Sequence, residues 1–124
     1  MKKIFIAVNE NTVTEQFLDK VGEKYLIEIT THISSLNDWL KRKQCDLVII
    51  EPGIKSHGFF MDPKILNRCG TEFYRQRIQP KEIPTIFLIG HEECKKTIEG
   101  LFPNSNFGEK NISLIQSIKE VIGE

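Results

Sequence analysis

Glu51 is the side chain best placed to do chemistry. It closes the run Asp46-Leu47-Val48-Ile49-Ile50-Glu51-Pro52-Gly53, in which an acidic turn residue leads four apolar residues, a carboxylate and a Pro-Gly break. A short, continuous apolar run bounded by turn residues reads as a strand buried on both faces. In an open parallel sheet, ligands and reactive groups collect just beyond the carboxyl ends of the strands, and Glu51 stands at that address. Other candidates are weaker. His91-Glu92-Glu93-Cys94 carries two zinc-competent side chains, but a zinc site takes about four ligands and no second pair follows at suitable spacing. It reads as a polar loop entering a helix with acids at its N-terminus. Asn9-Glu10-Asn11-Thr12-Val13-Thr14 could meet a phosphate at a helix N-terminus, yet it lacks a glycine for close backbone approach, and helix capping accounts for Thr12. There is no nucleotide-binding glycine fingerprint, P-loop or Ser-His-Asp order. Nothing marks Cys94 as a nucleophile, and His32 and His57 carry no assigned role.

Alternating elements must position these residues. Lys3 to Val8 is a first strand. Thr12-Val13-Thr14-Glu15 has capping-box spacing and opens a helix with Val13, Phe17, Leu18, Val21 and Tyr25 at helical intervals. Leu26 to Ile33 alternates as a strand nearer an edge, and Ser35 opens a second helix with Leu36, Trp39 and Leu40 as its stripe. After the strand ending at Ile50 comes a loop marked by Pro52, Gly53 and Gly58. Asp62-Pro63 predicts the start of a long third helix, since Asp caps well and Pro suits the first helical position. Its apolar side is Ile65, Leu66, Cys69 and Phe73, with Gly70 weakening its middle. Thr85 to Ile89 is a fourth strand, Glu92 to Phe102 a helix, Ser105 to Lys110 a fifth strand placed mainly by position, and Ile112 to Ile122 a last amphipathic helix with Ile112, Ile115, Ile118 and Ile122 on one face. Five strand–helix alternations imply a parallel sheet covered on both faces. The expected fold class is α/β, a three-layer sandwich of flavodoxin-like type, as one domain over residues 1–124.

Composition excludes several functions. The chain has 124 residues with 17 basic and 17 acidic side chains. A dominant positive field for nucleic acid is therefore absent, and the Lys41-Arg42-Lys43 run reads as a solvated helix end. No apolar run approaches the roughly 18 residues of a membrane span, and no leader pattern precedes the first strand. Cys45, Cys69 and Cys94 lack metal-site spacing and fit free thiols in a reducing cytoplasm.

The chain resembles the receiver domain of two-component response regulators. The resemblance spans nearly the whole sequence. Trp39 through Glu51 resembles the second helix and third strand, with Glu51 where the family has its phosphoacceptor aspartate. Ile83-Pro84-Thr85-Ile86-Phe87-Leu88-Ile89-Gly90 resembles the fourth strand, with Ile89 where the family has Thr or Ser. Phe107-Gly108-Glu109-Lys110-Asn111 resembles the end of the fifth strand. There Lys110 matches the family's lysine, Phe107 its switch aromatic, and Asn111 stands at its usual proline. The resemblance implies a CheY-like (βα)5 fold with a five-stranded parallel sheet in order 2-1-3-4-5. An abundance of Ile and Lys with a single alanine, Ala7, suggests AT-rich coding and a bacterial source.

The departures bear on function. The family holds Mg2+ with two acids at the end of its first strand. Here those positions fall on Val8 and Asn9 or, shifted by one, on Asn9 and Glu10, so one acid is missing either way. Mg2+ usually needs one or two carboxylates plus waters. Phosphoryl transfer needs a well-placed nucleophile, charge neutralisation and donors. Glu51 is one methylene longer than aspartate, and Ile89 cannot donate a hydrogen bond. Glu51 and Lys110 are expected to form an ion pair, and Phe107 to be fixed rather than to switch. The expectation is a non-enzymatic pseudo-receiver whose degenerate pocket is Asn9, Glu10, Glu51, Ile89 and Lys110, with no metal and no cofactor. It would act in the cytoplasm by protein contact through the fourth helix, fifth strand and fifth helix, roughly Cys94 to Phe102, Phe107 to Lys110 and Ile112 to Ile122. A second copy of the chain is one such partner; nucleic acid and membrane are not. The alternative is a phosphorylation- or Mg2+-responsive receiver, or a flavodoxin-like small-ligand module using the same pocket. A loop from Ile54 to Met61 exceeds the usual receiver length. Its adjacent Phe59 and Phe60 form a second candidate surface if exposed.

Overall fold

The computed structural model describes residues 1–9, 15–66, 68–110 and 113–123. Five strands, β1 (Lys3–Ala7), β2 (Leu26–Thr30), β3 (Leu47–Ile50), β4 (Thr85–Leu88) and β5 (Asn106–Gly108), form one sheet in the order β2-β1-β3-β4-β5. Every neighbouring pair is parallel, with Ile4 opposite both Ile27 and Leu47, Ile49 opposite Ile86, and Phe87 opposite Phe107. The helices are α1 (Glu15–Gly22), α2 (Ile33–Arg42), α3 (Cys69–Phe73), α4 (Glu92–Leu101) and α5 (Leu114–Ile122).

Strand alternation divides the core in two. Phe5, Ala7, Val48, Ile50 and Phe87 meet α2, α3 and α4 through Ile33, Leu36, Cys69, Phe73 and Ile98. Ile4, Ile6, Leu47, Ile49, Ile86 and Leu88 meet α1 and α5 through Phe17, Val21, Leu114 and Ile118. All residues of β3 and β4 are buried, whereas edge strand β2 leaves Leu26 and Ile29 exposed. The three layers and the strand order agree with the sequence-based expectation.

Several boundaries differ from it. β2 stops at Thr30, whose Oγ1 accepts from the His32 N–H at 3.0 Å. This turn brings in α2 at Ile33, two residues before Ser35. Asp62-Pro63 does not start a long helix. The Asp62 carboxylate instead accepts from the Lys64 N–H at 2.9 Å and closes a local turn, and α3 begins only at Cys69. It continues as a π turn, Tyr74–Ile78, and a 3-10 turn, Gln79–Lys81. Gly70 thus lies at the start of α3, where the Gly70 N–H donates to the Pro52 carbonyl at 3.0 Å. A Cβ at residue 70 would lie 2.2 Å from the Glu51 carbonyl oxygen, so glycine is required for α3 to abut the end of β3. Leu66, expected on the apolar side, is exposed. In the 54–61 loop, His57 and Gly58 both take positive φ, turning the chain so that Phe60 is buried and Phe59 packs on Phe73 at 5.6 Å. Phe60 thus belongs to the core and the half-buried Phe59 packs against it, so the pair does not form the exposed aromatic surface. β5 is confined to Asn106–Gly108, and α5 starts at Leu114. Thr12, Asn111 and Ile112 lie outside the described residues.

Candidate functional site

The carboxyl ends of β1, β3 and β5 converge on Glu51. Its backbone is fixed first: the Glu51 N–H donates to the Ala7 carbonyl at 3.0 Å, and its own carbonyl accepts from the Ile54 N–H at 3.0 Å. Its side chain is 12% exposed and is held at both oxygens. Oε1 accepts from the Asn9 backbone N–H at 3.2 Å, and Oε2 accepts from Asn9 Nδ2 at 3.0 Å. Lys110 Nζ reaches Oε2 at 3.1 Å. Asn9 also faces the loop after β3: its Nδ2 donates to the Gly53 carbonyl at 3.2 Å, and its Oδ1 accepts from the Lys55 N–H at 3.1 Å. One asparagine therefore ties the carboxylate of Glu51 to the loop that follows it.

This web places the sequence-derived residues as follows. Asn9, Glu51 and Lys110 come together. Ile89 is half-buried just beyond β4, with its N–H on the Gly108 carbonyl at 3.1 Å, and its aliphatic side chain lines a shallow groove with Gly90, His91, Glu92, Glu109 and Lys110. Phe107 is half-buried on β5, 6.2 Å from Phe87, with Lys95 Nζ 5.6 Å above its ring. Glu10 lies outside the described residues.

Sequence reasoning missed three participants. The Asn9 backbone N–H and the 53–55 backbone offer no side-chain signal. Gly70 reads in the sequence as a helix-interior glycine, and its close approach to the Glu51 carbonyl carries no local sequence signal.

A hard divalent cation takes oxygen ligands. Among the described residues of the pocket, both Glu51 oxygens accept hydrogen bonds, Asn9 Oδ1 is engaged by Lys55, and an ammonium group adjoins Oε2. Among the described residues no group of three or more His, Cys, Asp and Glu could hold a metal. The thiols are poorly ionised, because burial pushes Cys45 up to about 11 and also raises Cys69 and Cys94. No described helix is long and apolar enough to cross a membrane.

Known structures share this architecture. A response regulator assigned in Chloroflexus aurantiacus J-10-fl matches with a TM-score of 0.66 at 19% identity, over 99% of this chain and 98% of that one. The fold is a receiver fold. A second match, with a TM-score of 0.73 and 19% identity, covers 98% of this chain and 78% of a chain in which the yeast Spc42 trimeric coiled coil is fused to another protein. No family model and no curated protein matches the sequence. Within this receiver fold, the position beyond β3 is filled by a carboxylate already engaged with its neighbours.

Proposed function

We propose that this chain is a pseudo-receiver, a non-enzymatic signalling or scaffold module that works by protein contact. One observation carries the reading: the Glu51 carboxylate occupies its own pocket, with Asn9 and Lys110 spent on its two oxygens. A carboxylate so engaged is a weakened nucleophile. The cation that would neutralise an incoming phosphoryl group is already neutralised. Ile89 adds no hydroxyl to read a phosphate. The expected setting is a bacterial two-component pathway in the cytoplasm, and the expected partner face is α4, β5 and α5. That choice of face rests on likeness of fold, which by itself specifies no partner.

The test is incubation with Mg2+ and a small phosphodonor, followed by intact mass, and with Mg2+ and beryllofluoride, followed by amide NMR shifts. An unchanged mass and unchanged shifts at Glu51, Asn9 and Lys110 are expected. A phosphoryl adduct, or Mg2+-dependent shifts centred on Glu51, would overturn the reading in favour of a responsive receiver.

A further inference from the structure

A second region has the opposite character to the Glu51 pocket. Between α3, its π continuation and the C-terminal end of α4 lies a groove of about 410 Å³ lined by Arg68, Thr71, Glu72, Arg75, Leu101 and Phe102. One wall is apolar. Leu101 is 52% exposed, and the half-buried Phe102 is held edge-on to Tyr74 with ring centroids 4.9 Å apart. The rim is cationic, with Arg68 and Arg75 both exposed. Among the described residues Glu72 is the sole carboxylate lining the groove, and it is held by Arg75 and by Gln76 Nε2 at 2.9 Å. Arg75 is paired with Glu72 and Arg68 is not, so two guanidinium groups face one carboxylate among the described lining residues and the groove keeps an excess positive charge.

We propose that this groove docks a segment of a partner protein that carries an acidic residue beside an apolar anchor. Charge complementarity sets the class of partner. Arginine's planar fork matches a carboxylate, and a leucine and a phenylalanine at the back of a groove accept an apolar side chain, the usual anchor of a docked peptide. The π turn that carries Arg75 is a widened helical segment of the kind found at functional sites. A polyanion such as nucleic acid fits less well, because the chain as a whole has no net charge. The groove takes its apolar wall from the last residues of α4, on the α3 side of the α4–β5–α5 face, and Glu51 is not among the residues that line it.

Selection of a random-peptide display library on the wild-type protein tests the proposal. Enriched sequences should pair Asp or Glu with Leu, Phe or another large apolar residue. Arg68→Glu and Leu101→Asp, both at exposed positions, should each weaken synthetic copies of those peptides by about tenfold or more, with circular dichroism confirming that the fold is retained. Glu51→Gln protein should bind them as the wild type does, so failure of the pseudo-receiver reading and failure of this one are separable. No enrichment, enrichment of basic peptides, or binding unaffected by both groove substitutions would overturn the proposal.

Discussion

Glu51 and Glu72 are both carboxylates engaged by a cation and an amide, yet they do different work. The partners of Glu51 come from other strands: Asn9 is 42 residues away in sequence, and Lys110 follows β5. The partners of Glu72 are Arg75 and Gln76, three and four residues away on the same helical segment. The first set closes the carboxyl edge of the sheet across three strands. The second set trims the surface of its own helical segment, with Arg68 on the rim of the same groove. A carboxylate's role here depends less on how many partners it has than on how far along the chain they come from.

The strongest way to break this contrast is to strike the joint between the two regions. Gly70 sits on the Glu51 carbonyl and begins the helix that bears Glu72. Gly70→Ala forces a Cβ into backbone that cannot yield as a flexible side chain would, and a loss of about 1–3 kcal/mol or more is expected, read as a lower urea midpoint. A midpoint equal to wild type would mean that α3 does not lean on β3.

Glu51→Gln comes next. The amide keeps the shape but offers one acceptor oxygen where Asn9 presents two donors, and it leaves Lys110 without its counter-charge. About 1–3 kcal/mol of destabilisation is expected from donors left unpaired, measured in the same assay. The loss should be accompanied by amide shifts in residues 53–55, because Asn9 links both.

Glu72→Gln should give the smallest effect and the clearest pH signature. The Arg75 and Gln76 hydrogen bonds hold the Glu72 carboxyl below the usual carboxylate range. A depressed folded-state pKa contributes stability that is present above the unfolded carboxyl value and lost as pH falls through the folded one. The difference between wild type and Glu72→Gln should therefore shrink on acidification, and salt should shrink it further because Arg75 is exposed. A difference that grew toward low pH would contradict this.

Much of the fold was legible in the sequence because buried strands and amphipathic helices have distinct periods. Leu47–Ile50 and Thr85–Leu88 read as apolar runs and are buried along their whole length. The strand order was carried by the resemblance. Asp62-Pro63 misled because the residues that cap a helix also close a turn, and only tertiary contact decides between them. The 54–61 loop was legible as an insertion, but the burial of Phe60 depends on the shape of the neighbouring α3. At the site, the place of Glu51 followed from its position after an apolar run. The double engagement of Asn9 did not, since it uses a backbone N–H and loop carbonyls that no side-chain pattern reveals. The α3–α4 groove was illegible for a related reason: Arg68 and Leu101 line it together although they are far apart in the chain.

The strand order also has a consequence for cooperativity. β1 pairs with β2 and β3, all in the first 50 residues, whereas β5 is three residues long and joins at the far edge beside β4. A single domain of this size folds as one unit, and Lys110 can stand beside Glu51 only when β5 has taken its place. The ion pair therefore reports on the far edge of the sheet, and a chain cut before β5 would leave the Glu51 carboxylate without that cation.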